Sequence, residues 1–163
     1  MYLLPMRLHK FSVFPSRASI PHVPVRWIAP VDPYVKVNYD ASFKSNASIA
    51  TLGVVVRDKN GFILGAQCAS SYHVASSIAV EAQAAIHGLN FASDLGFQWV
   101  EMEGDSRAIV TKLLSASSDT SEMSALIGEA KGLARNFRDY KFFFHGKLSF
   151  SPPKIGVGLI HIR

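Results

Sequence analysis

A mixed α/β fold follows from three observations on this chain. Alternating apolar and polar residues mark three consecutive strands from residue 35 onward. The apolar period then lengthens to that of helices, and a last strand-like run closes the core at residues 140–145. The predicted order is βββαβααβ, a five-stranded mixed sheet with helices packed against it.

The first strand spans residues 35–44, with Val35, Val37 and Tyr39 on one face and Lys36, Asn38 and Asp40 on the other. A second covers about 50–58 and ends at Asp58-Lys59-Asn60-Gly61, whose Asn-Gly pair is a strong hairpin signal. A third, Phe62 to Ala69, completes an antiparallel meander. Its apolar run makes Cys68 an expected core thiol. Ile78, Ala82, Ala85, Ile86, Leu89 and Ala92 then recur at helical spacing, with Ser76 or Ser77 as N-cap and Gly96 as the stop. Gln98–Glu103 returns to alternation. Ile109, Leu113 and Ala116 form the face of a short second helix. Ser121 caps a third, with Leu126, Ala130, Leu133 and Phe137 inward.

The 163 residues suffice for one domain with a real core. A single cysteine excludes an internal disulfide framework. His73 and His87 have no zinc-ligand spacing with each other or with Cys68. No apolar stretch approaches the ~18 residues that span a bilayer, so no membrane partner is expected. The compartment is not readable from the sequence; an intracellular setting is the expectation, nuclear or cytoplasmic, with an organelle as the alternative.

Charge is unevenly placed. Residues 1–34 hold four Lys/Arg against one acid, residues 35–145 hold ten against eleven, and residues 146–163 hold three against none. The pI near 9.5 therefore belongs to the flanks and is weak evidence for a nucleic-acid partner. Six prolines fall within residues 5–33. The acid-poor composition there is also that of an organellar transit peptide, but the proline density opposes the amphipathic helix such a peptide needs. Three segments are expected: a Pro-rich basic arm or linker at 1–34, the domain at 35–145 and an atypical tail at 146–163.

Three acids carry the functional reading. Asp40 stands on the polar face of the first strand, Glu81 in the second turn of the first helix, and Asp105 where the fourth strand passes into a helix. Each alone has a plain structural role: Asp40 a turn residue, Glu81 a solvated helix acid, Asp105-Ser106 a helix cap. Brought together, they would repel one another unless protonated or bridged by cations. Hard oxygen ligands favour Mg²⁺ or Mn²⁺. Glu101 and Glu103 read as solvated or paired, and Lys36, Lys44, Arg57 and Lys59 as phosphate contacts or a solvated strand face. His145 reads as a structural histidine in preference to a ligand. Phe142-Phe143-Phe144 reads as at least partly core, with base stacking the alternative.

The stretches Val37-Asn38-Tyr39-Asp40-Ala41-Ser42, Gly53-Val54-Val55-Val56-Arg57-Asp58 with Asn60-Gly61, Glu81-Ala82-Gln83-Ala84-Ala85 and Glu103-Gly104-Asp105-Ser106 follow one another in a familiar order. In these the chain resembles plant ribonuclease H-like domains of the type-1 kind, similar to those of reverse-transcriptase-bearing retroelements. The resemblance implies a ribonuclease H-like fold. It implies two Mg²⁺ or Mn²⁺ ions held by Asp40, Glu81 and Asp105 as catalytic and metal-binding residues. It also implies hydrolysis of the RNA strand of RNA–DNA hybrids by a two-metal mechanism.

The end of the chain departs from that pattern. Such domains usually continue into a polar stretch with an Asn and a helix opening near Ala-Asp or Ala-His, which supplies a fourth metal-site group. Here Val157 aligns with that group, beside Pro152-Pro153, Gly156 and Gly158. The final helix is expected to be degraded, as in a truncated or frameshifted gene product, and activity to be weakened. The alternative reading is a catalytically inactive ribonuclease H-like nucleic-acid-binding or interaction domain, a retroelement-derived remnant.

Overall fold

The computed structural model describes residues 27–146. The expectations placed on the arm before residue 27, and on the tail, final helix and Val157 after residue 146, lie outside the described residues. The elements are β1 (Val35–Lys44), β2 (Ile49–Arg57), β3 (Ile63–Tyr72), α1 (Ser77–Asp94), β4 (Trp99–Gly104), α2 (Arg107–Leu114), α3 (Ser124–Ala134) and β5 (Asp139–Phe144). The sheet runs β3-β2-β1-β4-β5. The first three strands pair antiparallel, whereas β1–β4 and β4–β5 pair parallel. Parallel neighbours require long crossovers, and the helices occupy them.

The meander turns where the sequence places it. Asp58 Oδ1 accepts from the backbone N–H groups of Asn60 and Phe62 at 2.8 and 2.9 Å, and Gly61 takes φ +84. α1 starts at Ser76, whose Oγ accepts from the Ala79 amide at 3.3 Å. It ends in a Schellman-type turn, with Phe97 N–H donating to Ala92 at 3.1 Å and Gly96 at φ +82.

α1 packs across β1, β2 and β4, with α3 beside it. Its buried face is mostly alanine, with Val80 and Leu89, so the helix axis sits close to the sheet. A Cβ on Gly88 would lie 3.1 Å from Met102 Cε and 3.3 Å from Val37 Cγ1. Val37, Tyr39, Val54, Val56, Val100 and Met102 fill the sheet side, joined by Ile109 and Ile127. Each such side chain contributes about 1.5–3 kcal/mol by leaving water.

Four expectations need correction. Cys68 is exposed, not core, because β3 is an edge strand with no buried residue. Ser121 does not cap α3: its Oγ accepts from Met123 N–H and Lys112 Nζ, in a loop lock that includes Asp119. Ala116 lies beyond the end of α2, and Val110 takes its place in the core. Lys36 is neither a phosphate contact nor a solvated strand face: it is buried against Glu101 and Glu103, the paired one of their two readings, on the sheet face opposite α1. Of the aromatic run, Phe142 is core while Phe143 and Phe144 are exposed.

Residues 27–34 lie against that opposite face. Ile28 accepts a hydrogen bond from Lys36 Nζ at 2.6 Å. The Trp27 ring approaches Lys36 and Arg57, and Tyr34 bonds to Asp139 and stacks under Lys141 Nζ. No helix among the described residues is long and apolar enough to cross a membrane.

Candidate metal centre

Asp40, Glu81 and Asp105 come from three separate elements, yet each offers a carboxylate oxygen within 4.8 Å of the others. Asp40 reaches the site because alternation along β1 keeps Val37 and Tyr39 in the core. Asp105 follows the last residue of β4, which runs parallel beside β1. Glu81 extends from α1 where that helix crosses β1.

The local sequence at the end of β4 is dictated by a close approach. A Cβ at Gly104 would overlap the Tyr39 ring, so only glycine lets the strand pass before Asp105. Ser106 then caps α2, its Oγ accepting from Ile109 N–H at 3.5 Å. The Asp105-Ser106 pair thus serves both readings, one residue for each.

The electrostatics are those of unneutralised charge. None of the ion pairs among the described residues includes these three acids. Burial, and then the charges of Asp105 and Asp40, pushes the Glu81 carboxyl up to about 7. Burial also raises Asp40, partly opposed by its hydrogen bond from Ala41 N–H and reinforced by Asp105. Glu81 Oε2 is buried with no hydrogen-bond partner among the described residues. An oxygen-only donor set with an orphaned buried oxygen fits a hard divalent cation.

Tyr39 is the residue that reading the sequence for acids misses. Its buried ring lies against Gly104, just before Asp105, and its hydroxyl has no hydrogen-bond partner among the described residues. Burial, with the charges of Glu81 and Asp105, pushes the phenol well above its ordinary range. An aromatic residue directly before Asp40, opposite a glycine directly before Asp105, was the available signal. His145 does not join the cluster; its Nδ1 lies 3.5 Å from Glu103 Oε1. Arg107, two residues past Asp105, stacks on Phe144 at 4.7 Å.

This topology is that of a ribonuclease H-like fold, with the three acids gathered at one site. The chain belongs to the reverse transcriptase-like family, whose model matches residues 38–147. It is 33% identical over 106 residues to an Arabidopsis thaliana protein named as a candidate ribonuclease H protein. That match covers 63% of this chain, and the chain spans only 16% of the relative's length. Among solved structures it resembles RNase H1 of Halobacterium salinarum, with a TM-score of 0.64 at 24% identity over 70% of this chain and 86% of that one. The N-terminal RNase H domain of a Mycobacterium tuberculosis protein gives 0.63 at 22%, over 70% and 83%. LC11-RNase H1, solved with an RNA/DNA hybrid, gives 0.62 at 18%, over 69% and 86%. At these identities the likeness establishes the fold.

Proposed function

We propose that this domain is a metal-dependent endoribonuclease acting on the RNA strand of RNA–DNA hybrids. The observation that carries the reading is the meeting of Asp40, Glu81 and Asp105 within 4.8 Å with no cationic side chain among the described residues paired to them. Family membership and the hybrid-bound structural relative support the substrate class. Divalent cations bound there, Mg²⁺ or Mn²⁺, supply charge neutralisation and Lewis acidity for phosphodiester hydrolysis.

The chain's own residues do the rest. Asp40 and Asp105, carried by adjacent parallel strands, form the rigid side of the site. Glu81 closes it from the helix, and the buried Tyr39 ring packs against Gly104 beside Asp105. The donors are fixed before any substrate arrives, so their contribution is preorganisation. The basic flanks add sequence-independent phosphate contacts. The sequence at Val157, where relatives of this kind carry a further site group, favours slow turnover.

The test is an end-labelled RNA–DNA hybrid incubated with the purified chain in Mg²⁺ and in Mn²⁺. Cutting that needs the metal and disappears in Asp105→Asn is the expected result. Salt-sensitive hybrid binding without cutting, by folded protein, would replace this reading with the non-catalytic binding domain.

A further inference from the structure

The parallel ladder between β1 and β4 ends at the pair Asn38↔Glu103. From each member of that pair it is two residues to a site acid, Asp40 on one strand and Asp105 on the other. The side chains of this last pair are bonded to each other. Asn38 Nδ2 donates to Glu103 Oε1 at 3.1 Å, and Lys36 Nζ meets Glu103 Oε2 at 2.9 Å.

The Glu103 carboxylate is 2% exposed as a residue and touches three strands or their ends. Lys36 and Asn38 hold it to β1, and His145, whose N–H donates to Gly104 at 3.0 Å, flanks it just past β5. Lys36 is itself enclosed. Its ammonium donates to the Ile28 carbonyl, lies 3.6 Å from Glu101 Oε2 and is faced by the Trp27 and Phe143 rings. A buried ion pair is seldom the most stable filling for such a place, since apolar residues of similar volume often do as well. What directional bonds add is register. A slip of one residue on either strand would shift one acid by about 3.3 Å and turn it to the other face.

We propose that Glu103, acting through Asn38 with Lys36 as counter-ion, is a positioning residue that sets the spacing of Asp40 and Asp105. The cation affinity of the site depends on it, although it touches no ligand position itself. The inference rests on the cation reading given under Proposed function.

Titrating the full chain with Mn²⁺ alone, by calorimetry, reads the effect without relying on cleavage, and circular dichroism checks folding. Glu103→Gln keeps an acceptor for Asn38 and should hold Mn²⁺ within about threefold of the parent. The double variant Lys36→Met with Glu103→Leu refills the space with apolar groups but removes the Asn38 bond. It should bind at least about tenfold more weakly, the low end of what orienting partners of metal ligands cost. Asn38→Leu leaves the Lys36–Glu103 pair in place and should show the same loss, so the question is answered even if the double variant does not fold. Parent-like Mn²⁺ affinity in folded Asn38→Leu would overturn the positioning role while leaving the cation site intact. A parent chain that binds no Mn²⁺ would overturn the cation reading and this inference with it.

Discussion

Glu81 is held in a place that suits its neutral form, and replacing it with glutamine should make the metal-free protein more stable. Its carboxyl ionises near 4.5 in an ordinary setting but only near about 7 in the folded chain. Between those values the folded state holds the proton more tightly than the unfolded state does. Folding is therefore favoured while the acid is protonated, and that advantage is lost as pH rises from about 4.5 through 7. At about 1.4 kcal/mol per pH unit, halved because solvent reaches this half-buried group, the ionised carboxylate costs about 1 to 2 kcal/mol at pH 8.5. Glu81→Gln removes that cost and keeps the shape. Urea unfolding followed by circular dichroism, with chelator present, should show parent and variant alike near pH 4.5. At pH 8.5 the variant should lead by about 1 to 2 kcal/mol, or roughly 3–10 °C in Tm for a domain of this size. Adding Mg²⁺ at pH 8.5 should stabilise the parent and shrink the gap, since a cation that binds only the folded state adds to its stability. Equal stability at both pH values would refute the idea that burial, with the charges of Asp105 and Asp40, holds Glu81 in its neutral form.

Gly104→Ala should destabilise the domain by about 1–3 kcal/mol through overlap with the Tyr39 ring. Combined with Tyr39→Leu, its cost in urea unfolding should be less than additive, because the larger ring is gone. Burial holds the His87 imidazole neutral to lower pH than usual. Its contribution is present above the ordinary 6.5 and declines as pH falls below it; His87→Gln should flatten that part of the stability profile. Cys68 should react with a thiol reagent in the native protein at close to the rate of a small free thiol, since it is exposed on an edge strand. Protection released only by denaturant would contradict that placement.

The elements were legible because local signals agreed. The Asn-Gly turn, the Ser76 cap and the Gly96 stop each appear where the sequence puts them. The meeting of Asp40, Glu81 and Asp105 was legible through their order along the chain, although no spacing rule links residues so far apart. What stayed hidden depends on which strand lies at an edge and what covers each face. Ile63 and Leu64 on β3 look like core in sequence, yet α1 lies over β1, β2 and β4 and leaves them largely exposed. Lys36 and Glu103 look like solvated charges until the β1–β4 pairing sets them opposite each other. Tyr39 reads as an ordinary inward residue, because its nearness to the acids comes from Gly104 on a neighbouring strand.

The contacts of residues 27–34 bear on where this domain can be cut out for use elsewhere. The family match begins at residue 38, inside β1, so Trp27, Ile28 and Tyr34 lie upstream of the matched segment. Yet they roof the Lys36 ammonium and clasp β5 through Asp139. A graft that carried only residues 38–147 into a new host would arrive without that roof and without Lys36 itself. The recipient's own flanking sequence would have to supply both a counter-ion and a cover for the buried Glu103 carboxylate.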